Sequence, residues 1–211
     1  MSTITPAVGG GGPATMLDER FVAALGYTAR VHREQTRRNR PYVAHLLRVA
    51  GLVLEDGGSE DEAIAALLHD AVEDQGGWGR LRDIRRHYGD EVADIVASCT
   101  DNLDEPELDW HMRKQHYIEH LPEASSSALR VSLADKVDNV RGILHDMNAQ
   151  GRSASSLSCG AEAGLDERRD AAEVCWYYAA LARMFGLLMP GPRADELSAL
   201  VAELEHRIAL R

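Results

Sequence analysis

The sequence predicts an all-α fold, a single-domain helical bundle of about eight or nine helices. Apolar residues recur at three- and four-residue spacing along most of the 211-residue chain. Helix start and stop signals punctuate that pattern, among them Ser59 with Glu62, Asp109, Gly89 and the Pro190-Gly191-Pro192 break. No segment alternates convincingly between apolar and polar residues as a strand would, and there is no internal repeat.

The elements follow in order. Residues 1–14 are rich in Gly and Pro, including Gly9 to Gly12, and read as a disordered tail before a domain spanning 15–211. Leu17, Phe21, Leu25, Thr28 and Val31 lie at helical spacing. Pro41 suits the first position of a second helix, which Tyr42 to Leu54 continues. Ser59 and Glu62 match a capping box ahead of Ala63 to Leu68, and this helix is expected to carry His69-Asp70 at its far end. Trp78 to Tyr88 closes at Gly89, and Val92, Ile95, Val96 and Cys99 support the next helix. Residues 100–109 are acidic, contain Pro106 and read as a loop. Asp109 can cap a helix ending at Leu121-Pro122. Ala128 to Met147 is long and amphipathic, and residues 148–165 read as a second loop. Asp166 to Leu188 and Arg193 to Leu210 complete the set.

Composition narrows the function. Apolar residues make up 45% and charged residues 27%, with a formal net charge of -11. Such a surface repels nucleic acid polymers and anionic membranes. No apolar run approaches the ~20 residues of a membrane span, and no signal peptide is evident. Cys99, Cys159 and Cys175 form no C-x-x-C pair, which fits a reducing, cytoplasmic setting. The dense basic patch is Arg30, Arg33, Arg37, Arg38 and Arg40. Such a run is usually a solvated face, but this one leads into His45 and suits a small phosphorylated ligand.

Candidate chemistry concentrates in Ala66-Leu67-Leu68-His69-Asp70-Ala71-Val72-Glu73-Asp74. On a continuous helix His69 neighbours Glu73, and Asp70 neighbours Glu73 and Asp74. Two further polar interruptions of apolar faces stand out: His45, and Asp135 with Asn139. Polar groups buried without partners are costly, so a shared purpose is expected. His45, His69, Asp70 and Asp135 form a two-His, two-Asp donor set suited to Mn²⁺, Fe²⁺ or Zn²⁺, and the lack of Cys argues against a structural zinc. Glu73 and Asp74 stand beside it as proton-handling carboxylates. Arg37, Arg38, Arg113, Lys114 and Asn139 are candidate substrate contacts.

These residues resemble the HD superfamily of metal-dependent phosphohydrolases, and more closely the hydrolase domain of RelA/SpoT-type alarmone enzymes and their standalone small relatives. The matching stretches are His32-x-x-Gln35-x-Arg37, Pro41-Tyr42-x-x-His45-x-x-x-Val49-Ala50, Leu67-Leu68-His69-Asp70-x-Val72-Glu73-Asp74 and Leu133-Ala134-Asp135-Lys136-x-x-Asn139-x-Arg141. Arg113-Lys114-x-x-Tyr117 and Trp176-Tyr177-Tyr178 extend the match to residue 178. The resemblance implies Mn²⁺ on His45, His69, Asp70 and Asp135, chemistry by Glu73-Asp74, and release of pyrophosphate from guanosine 3′-pyrophosphates such as (p)ppGpp. Some relatives act on adenosine analogues or NADPH, which leaves the base open.

Two departures mark this chain. Relatives commonly carry Trp and Phe after the Asp135-Asn139 helix, whereas 152–165 holds no aromatic residue, and Asp138 stands where relatives usually have His. The expected partner is a small purine nucleotide, with a homo-oligomer left open. The competing expectations are another HD-type nucleotidase or phosphodiesterase and a non-catalytic nucleotide-sensing module.

Overall fold

A computed structural model describes residues 15–100, 109–150, 156–158 and 168–210, and these are helical almost throughout. Helix α1 spans Glu19–Val31, started by Asp18, whose carboxylate accepts from the Arg20 amide at 2.6 Å. Strands β1 (Thr36–Arg37) and β2 (Arg40–Pro41) form a small hairpin. Then come α2 (Val43–Glu55), α3 (Glu60–Leu68), the single turn α4 (Ala71–Asp74), α5 (Gly77–Tyr88) and α6 (Asp90–Cys99). Helices α7 (Trp110–His120) and α8 (Ser126–Gln150) precede strands β3 (Ser156–Ser158) and β4 (Arg168–Asp170), and α9 (Ala171–Leu188) and α10 (Pro192–Ala209) end the described chain. The all-α bundle stands, with nine helices of nine residues or more among the described residues.

Local chemistry accounts for most boundaries. The Ser59–Glu62 capping box is complete: the Ser59 hydroxyl accepts from the Glu62 amide at 3.2 Å and the Glu62 carboxylate from the Ser59 amide at 2.7 Å. Asp109 caps α7 through the Met112 amide at 2.9 Å. Gly89, at φ 94°, ends α5 in a conformation that favours glycine.

The core gathers on α2, α3, α6 and α8. Leu46, Val49, Val53, Ile64, Leu67, Leu68, Val92, Val96, Val131, Val137 and Val140 are all fully buried. Each such side chain removed from water contributes on the order of 1.5–3 kcal/mol. Helices α9 and α10 pack beside α8, and α1 covers α3. Arg193 fastens the start of α10 to the end of α2 by two 2.8 Å bonds to the Asp56 carboxylate.

Four expectations are corrected. Pro41 does not open α2: it pairs with Thr36 in the first hairpin, and Tyr42 precedes the helix. That hairpin turns at Arg38 and Asn39, with φ of 52° and 58°, the left-handed pair that two-residue turns demand. The helix expected to carry His69-Asp70 and Glu73-Asp74 together breaks between them, α3 ending at Leu68 and Asp70 preceding α4. The second expected loop is shorter, because α8 runs on to Gln150 and Ser156–Ser158 pairs antiparallel with Arg168–Asp170. Helix α9 accordingly starts at Ala171 rather than Asp166, capped by Asp170 through the Ala172 amide at 2.7 Å. The tail 1–14, the acidic stretch 101–108 and most of 152–165 lie outside the described residues.

Candidate metal and active site

Four side chains from three parts of the chain meet in the middle of this core. His45 comes from the first turn of α2, His69 and Asp70 from the break between α3 and α4, and Asp135 from α8. His45 Nε2 lies 3.2 Å from Asp135 Oδ1 and 3.6 Å from Asp70 Oδ2. His69 Nε2 lies 3.1 Å from Asp70 Oδ2 and 3.6 Å from Asp135 Oδ1. Both imidazoles thus turn Nε2 toward the same two carboxylates. The break before α4 serves this geometry, since it lets adjacent His69 and Asp70 both point inward.

The opposite ring nitrogens are held. His45 Nδ1 bonds Asp138 Oδ2 at 2.7 Å, and His69 Nδ1 bonds the Ala66 carbonyl at 2.8 Å. Both Nε2 atoms are buried and have no hydrogen-bond partner. An imidazole with Nδ1 engaged and a buried, unpartnered Nε2 beside carboxylates is a ready metal donor. The donor set fits a divalent cation, and His45, His69 and Asp70 present ligand atoms all within 4.8 Å of one another.

The electrostatics agree. Burial disfavours charge on all four groups, but the mutual pairing outweighs it. It raises the His45 pKa, lifts His69 well above its usual range and holds Asp70 well below its own, while the Lys136 ammonium first and then the two imidazoles hold Asp135 well below the usual carboxylate range. Tyr42 donates its hydroxyl to Asp70. Lys136 Nζ donates to Asp135 Oδ2 at 2.7 Å and lies 4.9 Å from the centre of the Tyr117 ring.

Further support comes from a residue marked in sequence only as a departure from relatives. Asp138 is only 4% exposed and accepts from Arg48 Nε at 2.6 Å and Nη2 at 3.0 Å as well as bonding His45. Those bonds override burial and lower its carboxyl to about 2. The readable signal was Asp135, Asp138 and Asn139 sharing one apolar helix face, more polarity than a metal ligand alone requires.

The candidate substrate residues divide. Arg37 is buried, its Nη1 donating to Asn139 Oδ1 at 2.8 Å, and Asn139 Nδ2 donates to Asp135 Oδ1 at 2.8 Å. Arg37 Nε and Nη2 are buried without partners, so two donors remain for an anion beside the cluster. Arg38 pairs with Asp146 at 2.9 Å and lies against Gly142, where a Cβ would collide with its guanidinium. Asp74, beyond the break, accepts from Gln35 Nε2 at 2.7 Å. Glu73 and Asp74 are partly buried on α4. Arg113 and Lys114 are on α7, the helix whose Tyr117 ring faces Lys136. Lys114 is 5.7 Å from the Tyr177 ring centre, and Arg113 lines a cleft of about 320 Å³ with His116, Tyr117 and His120.

A family profile described as HD domain matches residues 24–158, well over half of the chain. The chain belongs to the HD domain family. A Xenopus tropicalis protein named guanosine-3′,5′-bis(diphosphate) 3′-pyrophosphohydrolase MESH1 is 38% identical over 128 residues, 58% of this chain and 69% of that one. The Homo sapiens protein of the same name is 35% identical over 129 residues, 59% and 69% of the two chains. A solved structure described as a metazoan ortholog of SpoT that hydrolyzes ppGpp matches with a TM-score of 0.66 at 25% identity, covering 94% of this chain and 100% of that one. Membership in the HD family, with the His/Asp cluster, implies dependence on a divalent metal. No helix among the described residues is long and apolar enough to cross a membrane.

Proposed function

We propose that this chain is a metal-dependent hydrolase that removes the 3′-pyrophosphate of a purine nucleotide such as (p)ppGpp. His45, His69, Asp70 and Asp135 hold the metal, Mn²⁺ in first place, and Glu73 and Asp74 handle protons. The observation that carries the proposal is the pair of buried Nε2 atoms turned toward the Asp70 and Asp135 carboxylates without a well-formed hydrogen bond, beside a buried arginine with two donors that make none. The first feature suits a cation and the second a phosphate, side by side. The relatives named for this reaction support the choice of substrate.

When bound, the metal supplies Lewis-acid stabilisation of phosphoryl charge. The rest falls to the chain. Arg37, anchored through Asn139, presents Nε and Nη2 to the phosphate, and its planar guanidinium suits that geometry. Gln35 fixes the Asp74 carboxylate, which takes a proton from the attacking water. The water oxygen bonds to the phosphorus attached to the ribose, the bond from that phosphorus to the 3′ oxygen breaks, and the 3′ oxygen is protonated. The products are the nucleoside 5′-diphosphate or 5′-triphosphate, with a free 3′ hydroxyl, and pyrophosphate.

Residues 15–211 act as one domain in this proposal, working in the cytoplasm on a small nucleotide, and the net charge of -11 supports that ligand over a polymer. Incubation with Mn²⁺ and a panel of guanosine and adenosine 3′-pyrophosphates plus NADPH tests it. Pyrophosphate with the matching nucleotide is the expected outcome. Release of orthophosphate alone, or no turnover of any member, overturns it.

A further inference from the structure

On the Asp74 side of the ligand cluster a cleft encloses about 630 Å³, lined in part by Tyr27, Arg30, Arg33, Gln35, Asp74 and Arg80. The volume is that of a small-molecule site, yet three guanidinium groups stand where such sites usually place hydrocarbon. Arg80 is held in place, Nε donating to the Gln75 carbonyl at 3.0 Å and Nη1 to the Tyr27 hydroxyl at 2.8 Å, with the Asp83 carboxylate 3.6 Å from Nη1. Its Nη2 makes no hydrogen bond among the described residues. Arg30 forms no ion pair among them either. Arg33 pairs only with adjacent Glu34, at 2.9 Å, and these side chains are 73% and 82% exposed. So exposed a pair contributes little and yields readily to a better partner. Against the Glu34 and Asp74 carboxylates on the same lining, the three guanidiniums leave the cleft with a positive excess in a chain whose net charge is -11.

Its place relative to the cluster suggests the ligand. Gln35 and Arg37 flank one residue of the same segment and diverge, Gln35 to Asp74 and Arg37 to Asn139. Beyond Asn139, α8 continues with Gly142 and Asp146 beneath Arg38. A nucleotide whose scissile phosphate met Arg37 would carry its nucleoside along that α8 stripe. Its outer phosphate then faces the other way, toward Asp74 and the cleft. Charge balance demands cations there. The carboxylates of Asp70, Glu73, Asp74, Asp135 and Asp138 are matched by Arg37, Arg48, Lys136 and one divalent ion. Beyond the two free donors of Arg37, nothing in that group remains to neutralise an added pyrophosphate.

We infer that Arg30, Arg33 and Arg80 form a docking site for the outer phosphate of the scissile 3′-pyrophosphate, which keeps hold of pyrophosphate until it leaves. This rests on the pyrophosphohydrolase reading above. The test titrates Mn²⁺-loaded protein with pyrophosphate and, separately, with orthophosphate by calorimetry, for the parent and for the Arg30→Gln/Arg33→Gln double variant. Both positions are exposed on the end of α1 and just beyond it, so the fold survives their change. Removing two charge-assisted hydrogen bonds should weaken pyrophosphate binding by about 100-fold, each bond giving about tenfold. Orthophosphate reaches the cluster alone and should bind as before. Unchanged pyrophosphate affinity, or an equal loss for both anions, overturns the site. Arg80→Gln, checked for folding by thermal unfolding, should add a further loss. Hydrolysis of the 3′-pyrophosphates is scored in parallel. Arginine-dependent pyrophosphate binding without that hydrolysis would sink the substrate assignment and leave the docking site standing.

Discussion

Asp138 Oδ2 lies 2.7 Å from His45 Nδ1, and Arg48 grips both oxygens of the same carboxylate. The pairing fixes the tautomer of the His45 imidazole, proposed above as a metal donor, and makes Nε2 more basic. Groups in this position commonly control metal affinity by about 10–100-fold. Asp138→Asn should therefore weaken Mn²⁺ binding by that order, measured by competition with a chelator, and shift the visible spectrum of the Co²⁺-substituted protein. An unchanged affinity and spectrum would reduce Asp138 to a packing role.

His69→Ala and Asp135→Ala should each abolish stoichiometric metal binding, because each removes one of four converging donors. Elemental analysis of folded, purified variants checks this. Full metal content in both would contradict the assignment.

Glu73→Gln and Asp74→Asn should retain metal and fold while losing turnover. A proton-transfer group commonly contributes about 10²–10⁴-fold in rate. Asp74 is expected to matter more, since Gln35 holds it in place. Near-normal rates in both variants would exclude carboxylate participation.

Stability should respond to pH in opposite senses with and without metal. The facing carboxylates raise the pKa of both His45 and His69. A raised folded-state pKa gives stability that is complete below the unfolded value of about 6.5 and is lost as pH climbs through the folded value. Chelator-treated protein should therefore melt at lower temperature as pH rises above about 6.5. Metal binding needs neutral imidazoles, so Mn²⁺ should stabilise progressively more over the same range. Thermal unfolding from about pH 5 to about 9, with chelator and with Mn²⁺, gives the comparison. Parallel curves would show that the cluster does not exchange protons for metal.

Leu67→Ala should destabilise the fold by about 2–5 kcal/mol, because Leu67 is fully buried just before the ligand break and its loss leaves a cavity. Chemical denaturation measures it. A loss below about 1 kcal/mol would mean that α3 collapses onto α2 to refill the space.

The sequence exposed the helices and the ligand set for different reasons. Caps such as Ser59–Glu62 and Asp109 act within one turn, so their chemistry is written locally. The four candidate donors stood out because a buried imidazole or carboxylate on an apolar face needs a partner, and the structure brings His45, His69, Asp70 and Asp135 together. The break at His69-Asp70 was not readable. Ala63 to Val72 contains neither Gly nor Pro, and the interruption arises because both donors must face inward, a tertiary demand. The first hairpin was hidden too, since two-residue strands are too short to show alternation. Asp138 was visible as a departure from relatives, but its bond to His45 spans 93 positions of sequence and awaited the packing of α2 on α8. Arg113 and Lys114 matched the family pattern, and α7 sets Lys114 by the Tyr177 ring and Arg113 in a cleft with Tyr117.

Asp135 and Gly142 lie on one face of α8, seven residues apart, with the ligand cluster at the first and the Arg38 guanidinium at the second. At 1.5 Å per residue that separation is about 10 Å, set by the pitch of an uninterrupted helix. The two ends cannot drift apart or close up as a loop-borne pair would. The helix thus works as a fixed gauge: a molecule engaging both ends must have the right reach, whatever groups it carries. Length would then sort ligands before any base-specific hydrogen bond is made.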